Sequence, residues 1–168
     1  MKKIIYNDDH LQEEDINNIV KRAKAIIINS NDEILLTLSH NNYFLIGGHV
    51  ENEESDIECL EREILEETGI KISIGNLIPY LSIIYYSKEY PSKELNSKYI
   101  INYYEIKTDL KPNLDILNLT DDEIEGNFEP KYINKNKILE ELNNNLKVCS
   151  RINVVRDTIE AVKSYLDD

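Results

Sequence analysis

Apolar residues along the chain form short runs separated by polar segments, a pattern that predicts a mixture of strands and helices. The runs at residues 25–28 and 34–38 flank turn-forming residues at 29–32, so we expect a β-hairpin there. Both runs are continuously apolar instead of alternating, which indicates strands buried on both faces. Two Ile- and Tyr-rich runs, at residues 77–86 and 99–106, predict two further strands.

A central helix is predicted over residues 56–68 from the signals at its two ends. Ser55 is a good N-cap, and Glu58 follows three positions later, which is the spacing of a capping box. Gly69 is a natural C-terminal stop. The preceding pair Gly47-Gly48 marks a place where the backbone can turn sharply or approach another group closely.

The chain after residue 106 predicts less regular structure until a final helix. Residues 107–126 are acidic and predicted to be irregular, and residues 137–142 predict a short helix. Apolar residues recur at spacings of three and four towards the end, which predicts an amphipathic helix within residues 150–166. Residues 1–18 are polar and form an N-terminal extension, for which we expect a short strand or helix.

A length of 168 residues is typical of one domain with one hydrophobic core, so we expect a single domain over residues 1–168. No segment approaches the roughly 20 apolar residues of a membrane span, and the start lacks a signal-peptide run. We therefore expect a cytoplasmic protein without membrane association, either a monomer or a homodimer. Cys59 and Cys149 share no metal-ligand spacing and are expected to be small buried hydrophobes.

The net charge of -13 argues against a protein that binds polymeric nucleic acid, because such proteins normally carry a basic face. The same charge matters for any phosphate-bearing small molecule. An acidic protein that handles phosphates usually needs a divalent cation between the two sets of negative charge. The composition therefore favours metal-assisted chemistry.

Three carboxylates lie together on the predicted central helix. At 100° per residue, Ile57, Leu60 and Ile64 form an apolar stripe, and Glu63, Glu66 and Glu67 form a band about 100° wide beside it. Like charges at these spacings repel, and a hard cation such as Mg²⁺ or Mn²⁺ would relieve the repulsion. Taken alone, however, a glutamate-rich helix face is far more often simply a solvated surface.

The wider spacing distinguishes the two interpretations. From Gly48, the sequence GHVENEESDIECLEREILEETGI fits the pattern G-x5-E-x7-R-E-U-x-E-E-x-G-U, in which U is aliphatic. A chance match to its nine constrained positions is on the order of one in a billion per window. This segment, residues 48–70, resembles the Nudix box, the sequence motif of the Nudix hydrolase family.

The resemblance implies an α/β fold, namely an α/β/α sandwich around a mixed central sheet. It also implies hydrolysis of a diphosphate linkage in a nucleotide or nucleoside-diphosphate derivative, with Mg²⁺ or Mn²⁺ as cofactor. Carried over by position, Glu63, Glu66 and Glu67 would bind the metal and Gly48 would add its carbonyl oxygen. Arg62 would orient these ligands, with support from Glu54. One departure is Ile46, where many members of the family have proline.

Outside the box, the resemblance points to a further acidic residue on a remote loop as general base. Glu123, Glu125 and Glu129 all qualify, and the sequence does not choose among them. Tyr85 and Tyr86 stand about 16 positions past the box, where some relatives carry a substrate-binding tyrosine. We predict that these tyrosines contact a nucleotide-like diphosphate substrate.

Two other functions remain open at this point. Some relatives bind nucleotides without cutting them and act as sensors, although such proteins commonly lose part of the glutamate set. Others isomerise isoprenoid diphosphates, a reaction that needs an active-site cysteine. Cys59 lies within the predicted helix and is an unpromising position for that role.

Overall fold

The computed structural model describes residues 1–167, which form one seven-stranded mixed sheet with helices on both faces. In chain order, the strands are β1 (Lys2–Tyr6), β2 (Asn18–Ile28), β3 (Glu33–Ser39), β4 (Asn42–Phe44), β5 (Leu81–Ser87), β6 (Ser97–Lys107) and β7 (Glu129–Asn134). The helices are α1 (Asp56–Thr68), α2 (Asp121–Glu125), α3 (Ile138–Asn145) and α4 (Ile152–Leu166). No helix in this part of the chain is long and apolar enough to cross a membrane.

The strands are arranged in the order β1-β5-β6-β2-β3-β4, and β7 also pairs with β3. The pairs β1/β5 and β2/β6 are parallel, and the other pairs are antiparallel. β2 is therefore a central strand, paired with β6 along its whole length. Its position explains why a continuous apolar run is needed at residues 25–28, which are all buried.

Two apolar layers, one on each face of the sheet, hold the helices in place. α1 packs through Leu60 and Ile64 against the face that carries Ala25 and Ile27. α3 and α4 pack on the opposite face, in a cluster that includes Ile26. The α/β/α sandwich with a mixed sheet is thereby confirmed.

The sheet opens between β2 and β3, which pair at only two positions, Ile27 with Leu35 and Ile28 with Ile34. The chain that follows β3 fills this opening. Residues 42–44 pair with β3 as strand β4, and single bridges join Ala25 to Ile46 and Arg22 to His49. The glycine pair at 47–48 consequently lies in the opening, beside β2.

Helices with clear sequence signals at their ends lie close to where the sequence predicts them. The central helix has the predicted bounds, 56–68, and the final helix begins at Ile152. The extension at residues 1–18 contains β1, a 3-10 turn at Glu13–Asp15 and the first residue of β2.

The structure differs from the expected elements at three places. Strand β5 begins at Leu81 and not at residue 77. The segment 107–126 was predicted to be irregular but contains α2, which Thr120 caps. Strand β7, Glu129–Asn134, was not predicted, because its residues are mostly polar and half exposed and its conformation depends on pairing with β3.

Candidate active site

A cavity of about 510 Å³ lies where α1, β2, α2 and the start of α4 meet, at the opening of the sheet. This volume is within the usual range for a small-molecule site. The lining is strongly charged. Its acidic residues are Glu51, Glu63, Glu66, Glu67, Asp122 and Glu123, and its basic residues are Arg22, Lys24, Arg62 and Arg151, with His40 and His49 beside them.

Helix α1 presents three of these carboxylates because both of its ends are fixed. At the N-terminus, the Ser55 hydroxyl accepts from the Glu58 amide at 3.2 Å, and the Glu58 carboxylate accepts from the Ser55 amide at 2.8 Å. At the C-terminus, Gly69 takes a left-handed conformation with φ 68° and ends the helix. With Leu60 and Ile64 buried beneath, the glutamate band faces the cavity.

The Glu63 carboxylate packs directly against Gly48. A Cβ atom added to Gly48 would lie 2.1 Å from Glu63 Oε1, so no larger residue fits without displacing the carboxylate. The Gly48 carbonyl oxygen accepts a hydrogen bond from the Ala23 amide at 3.1 Å and a weak one from the Cys59 thiol at 3.9 Å. Burial raises the pKa of Glu63 above its ordinary value, although hydrogen bonding from Arg62 opposes the change.

Arg62 joins three carboxylates through one guanidinium group. It binds Glu54 through two hydrogen bonds, Nε to Oε1 at 2.9 Å and Nη2 to Oε2 at 3.1 Å. Its Nη1 donates to Glu63 at 2.8 Å and to Glu66 at 3.3 Å. The hydrogen bonds from Arg62 hold the pKa of Glu54 below its usual range. Arg62 thus fixes the direction of two cavity carboxylates.

Glu67 is the most buried of the acids, with 7% of its surface exposed, and its Oε2 has no hydrogen-bond partner. Burial raises its pKa well above the usual value, and the nearby Lys24 opposes that change. The Lys24 ammonium donates to the Leu45 carbonyl at 3.1 Å, and burial lowers its pKa. A buried acceptor without a donor is costly and indicates a missing positive partner.

The donor set fits a hard divalent cation. Within residues 1–167, no three His, Cys, Asp or Glu side chains converge into a ready-made metal cage, since Arg62 holds Glu63 and Glu66. Mg²⁺ does not require such a cage, because it commonly combines one or two carboxylates with water and substrate phosphates. The unpartnered oxygen of Glu67 is a suitable additional donor.

Comparison with known proteins identifies the family. The NUDIX domain model matches residues 20–147. The chain belongs to the Nudix family. Nudix hydrolases act on pyrophosphate bonds and generally use divalent metals such as Mg²⁺.

Solved structures share the Nudix fold at low sequence identity. A MutT protein from Methanosarcina mazei Go1 is 21% identical, with a TM-score of 0.58 over 90% of this chain and 98% of its own. A NUDIX hydrolase from Nitrosomonas europaea is 17% identical, with a TM-score of 0.56 over 89% and 90%. The DR0079 protein from Deinococcus radiodurans is 19% identical, with a TM-score of 0.52 over 83% and 81%. These similarities support the fold.

The three acids expected on a loop of this Nudix chain lie instead in regular elements, Glu123 and Glu125 in α2 and Glu129 at the start of β7. Of the three, Glu123 lines the cavity. Glu125 and Glu129 are exposed and are not among its lining residues. The Glu123 carboxylate accepts from the Thr120 amide at 2.7 Å and so also caps α2. The structure therefore brings one of the three acids to the glutamates of the Nudix box.

The two predicted substrate-contacting tyrosines lie on β5, outside the cavity lining. Tyr85 donates to Asp157, and its ring stacks on Tyr6 with centroids 4.9 Å apart. Tyr86 donates to Glu13. Their hydroxyl groups thus already have partners within the protein.

Sequence analysis missed the basic residues of the cavity, Arg22, Lys24 and Arg151. Arg22 and Lys24 occupy alternate positions on β2, on the same face as Ile26. The sequence signal that could have revealed them is two basic residues spaced two apart at the start of an otherwise apolar strand. His49 lies next to Arg22, whose Nη2 is 3.1 Å from His49 Nε2. Burial, with Arg22 and Lys24 nearby, lowers the pKa of His49, so a neutral imidazole accepts this hydrogen bond.

Cys59 is fully buried in α1 and does not line the cavity. Its Sγ is 3.3 Å from the His49 carbonyl oxygen. Burial raises the pKa of the thiol to about 12, with Glu54 and Glu63 contributing. The thiol is therefore protonated and enclosed, unlike the exposed cysteine that isomerase chemistry requires.

Proposed function

We propose that this Nudix chain hydrolyses a diphosphate linkage in a nucleotide or nucleoside-diphosphate derivative, with Mg²⁺ or Mn²⁺ as its cofactor. The observation that carries the proposal is the buried, unpartnered Oε2 of Glu67, on a cavity wall shared with Glu63 and Glu66. Such an arrangement is costly by itself and becomes favourable when a cation is bound.

Glu63, Glu66, Glu67 and the Gly48 carbonyl would hold the metal. When bound, a divalent cation neutralises charge on phosphate oxygens and lowers the pKa of a coordinated water molecule. It would also reduce the repulsion between the acidic cavity wall and a negatively charged substrate.

The other residues of the site fix positions in advance. Arg62 is hydrogen-bonded to Glu54, Glu63 and Glu66, so it restricts the positions that these carboxylates can take. Gly48 leaves room for the Glu63 carboxylate. The capped and buried helix α1 supplies the rigid base for both contacts.

Glu123 is the general base in this proposal, in preference to Glu125 and Glu129, because it alone of the three lines the cavity. Its carboxylate is held by the Thr120 amide and hydroxyl at 2.7 and 2.8 Å. The helix that carries it is attached to the body of the protein through His40, whose Nε2 donates to the Asp122 carbonyl at 2.9 Å. A water molecule in the cavity would lose its proton to Glu123 as it attacks phosphorus.

The two alternative functions lack a supporting observation. Isomerase chemistry is disfavoured by the enclosed Cys59 thiol. A sensor that does not cut its ligand has no need for the complete set of Glu63, Glu66 and Glu67, two of which Arg62 holds. Hydrolysis therefore remains the function that accounts for most of the site.

The test is turnover of a panel of nucleoside di- and triphosphates, nucleotide sugars and dinucleoside polyphosphates, with Mg²⁺ or Mn²⁺ and with EDTA. We expect metal-dependent turnover of at least one class, and loss of it in Glu67→Gln. Glu140→Gln is the matched control, because Glu140 is exposed on α3. Absence of turnover with both metals, or equal rates in Glu67→Gln and wild type, would refute the proposal.

A further inference from the structure

Arg22 is a cationic group in the cavity lining without a carboxylate in direct contact, although its charge acts at longer range on the partly buried Asp157. Among the residues described, its side chain makes no ion pair within 4 Å, and its one hydrogen bond runs from Nη2 to Nε2 of the His49 ring at 3.1 Å. Its Nε is buried and has no acceptor. A guanidinium has five N–H donors, so most of its capacity is unused.

This lack of a partner is unusual in so acidic a protein, which has 32 Asp and Glu residues against 19 Lys and Arg residues. Arg62, in the same cavity, is hydrogen-bonded to three carboxylates. A guanidinium that only stabilised the fold would be expected to find a similar partner, because a buried donor without an acceptor is costly. The free donors of Arg22 therefore indicate an anionic ligand.

Two further cations line the cavity with Arg22. Lys24 lies two residues further along the same face of β2, and Arg151 stands at the start of α4. Arg151 forms only a long, exposed ion pair, in which its Nη2 is 3.6 Å from Asp122 Oδ2. We call Arg22, Lys24 and Arg151 the basic wall. It comes from β2 and α4, whereas the carboxylates come from α1 and α2.

We propose that the basic wall binds a phosphate group of the substrate directly, through Arg22 and without a metal ion. This inference rests on the proposed function, in which the α1 carboxylates and their metal hold the diphosphate that is cut. The planar guanidinium fork matches two phosphate oxygens, which Lys cannot reproduce. The substrate class is accordingly one with a further charged phosphate, such as a nucleoside triphosphate, in preference to a nucleotide sugar.

The test is binding of inorganic pyrophosphate in the presence of EDTA, measured by calorimetry. We expect binding to the wild-type protein and a loss of about ten- to a hundred-fold in Arg22→Gln, with partial recovery in Arg22→Lys. Arg156→Gln is the matched control, because Arg156 is exposed on α4 and does not line the cavity. Equal affinity in Arg22→Gln and wild type would overturn the inference.

A second measurement avoids any folding defect of the variants. Phenylglyoxal modifies accessible guanidinium groups, and peptide mass spectrometry locates the modification. Pyrophosphate with EDTA should slow modification of Arg22 in the wild-type protein but leave Arg156 unaffected. Unchanged modification of Arg22 at saturating pyrophosphate would contradict direct contact.

The inference and the proposed function can fail separately. If the protein hydrolyses the panel but Arg22→Gln keeps the wild-type KM and the same preference for triphosphates over nucleotide sugars, the basic wall has no such role. If pyrophosphate binds through Arg22 but no compound is cut, the phosphate site stands and the proposed hydrolysis does not.

Discussion

The carboxylate of Glu63 lies directly above the α-carbon of Gly48, with Oε1 2.1 Å and Cδ 2.6 Å from where a Cβ would be. Gly48 is therefore required by contact with a side chain and not by its own backbone conformation. Gly47 differs, because its φ of 127° and its contact with the Ala23 carbonyl both exclude a side chain. The two adjacent glycines serve separate purposes.

Gly48→Ala should displace the Glu63 carboxylate and reduce kcat/KM by about 100-fold, since shifts of about 1 Å cost this much in active sites. It should also raise the Mg²⁺ concentration needed for half-maximal activity. Gly75→Ala is the control, because an added Cβ meets nothing within 4 Å there. Steady-state kinetics with a metal titration provide the measurement, and wild-type behaviour of Gly48→Ala would show that the contact is irrelevant.

Arg62→Met should lower the free energy of unfolding of the metal-free protein by about 1–3 kcal/mol, the range for hydrogen bonds to charged groups. The affected side chains of Arg62, Glu54 and Glu63 are 27%, 14% and 15% exposed, so solvent screens them only in part. Urea denaturation measures the change. Arg156→Met, at an exposed position, should change stability by less than about 0.5 kcal/mol. Similar losses in both variants would count against the network.

Glu123→Gln should reduce kcat by about 10²- to 10⁴-fold, the usual contribution of a general base. The amide oxygen still accepts from Thr120, so the cap of α2 is retained while the charge is lost. Glu125→Gln and Glu129→Gln should stay near the wild-type rate. A wild-type kcat in Glu123→Gln would show that Glu123 serves only as a helix cap.

Cys59 should resist thiol reagents in the folded protein, while the half-buried Cys149 reacts. Burial raises the pKa of the Cys59 thiol from 9.0 to about 12, so about a thousand-fold less thiolate forms at pH 8. Ellman's reagent should detect one fast thiol before unfolding and two afterwards. Two fast thiols in the folded state would contradict the placement of Cys59.

The same shift predicts a stability change at alkaline pH. Because the thiol has a higher pKa in the folded protein, the unfolded chain loses this proton first, and stability falls as pH rises above about 9. Cys59→Ala should remove this part of the pH dependence, although it costs stability at every pH, and Cys149→Ala should retain it. Urea denaturation at pH 7 to 10 compares the variants, and identical slopes would refute the assignment.

Helix α1 was predictable from sequence because everything that defines it is local. Ser55 and Glu58 begin it, Gly69 ends it, and the apolar stripe lies between. The spacing of the carboxylates along this helix also follows from the sequence. Hydrogen bonds from Arg62 to Glu54 and to Glu66 were also expected, because these residues are close along the chain.

The basic wall and β7 were not predictable in the same way. Arg22 and Arg151 are far apart in sequence and meet only because the sheet and α4 bring them to one cavity. Strand β7 is Glu129–Asn134, a polar segment without strand alternation, and its pairing with β3 decides its conformation. The choice of Glu123 over Glu125 likewise depended on how α2 is attached to His40.

Strands β2 and β3 pair at only two positions, and the site in the resulting opening is lined by separate secondary-structure elements. The carboxylates proposed to bind metal belong to a helix with its own packed layer, and the cations proposed to bind phosphate belong to β2 and the start of α4 on the other face. Side chains at positions 22, 24 and 151 can therefore change without disturbing the packing under α1. Replacement of Arg22 or Arg151 would alter the charge that a ligand meets in the cavity while the packing of α1 stays the same.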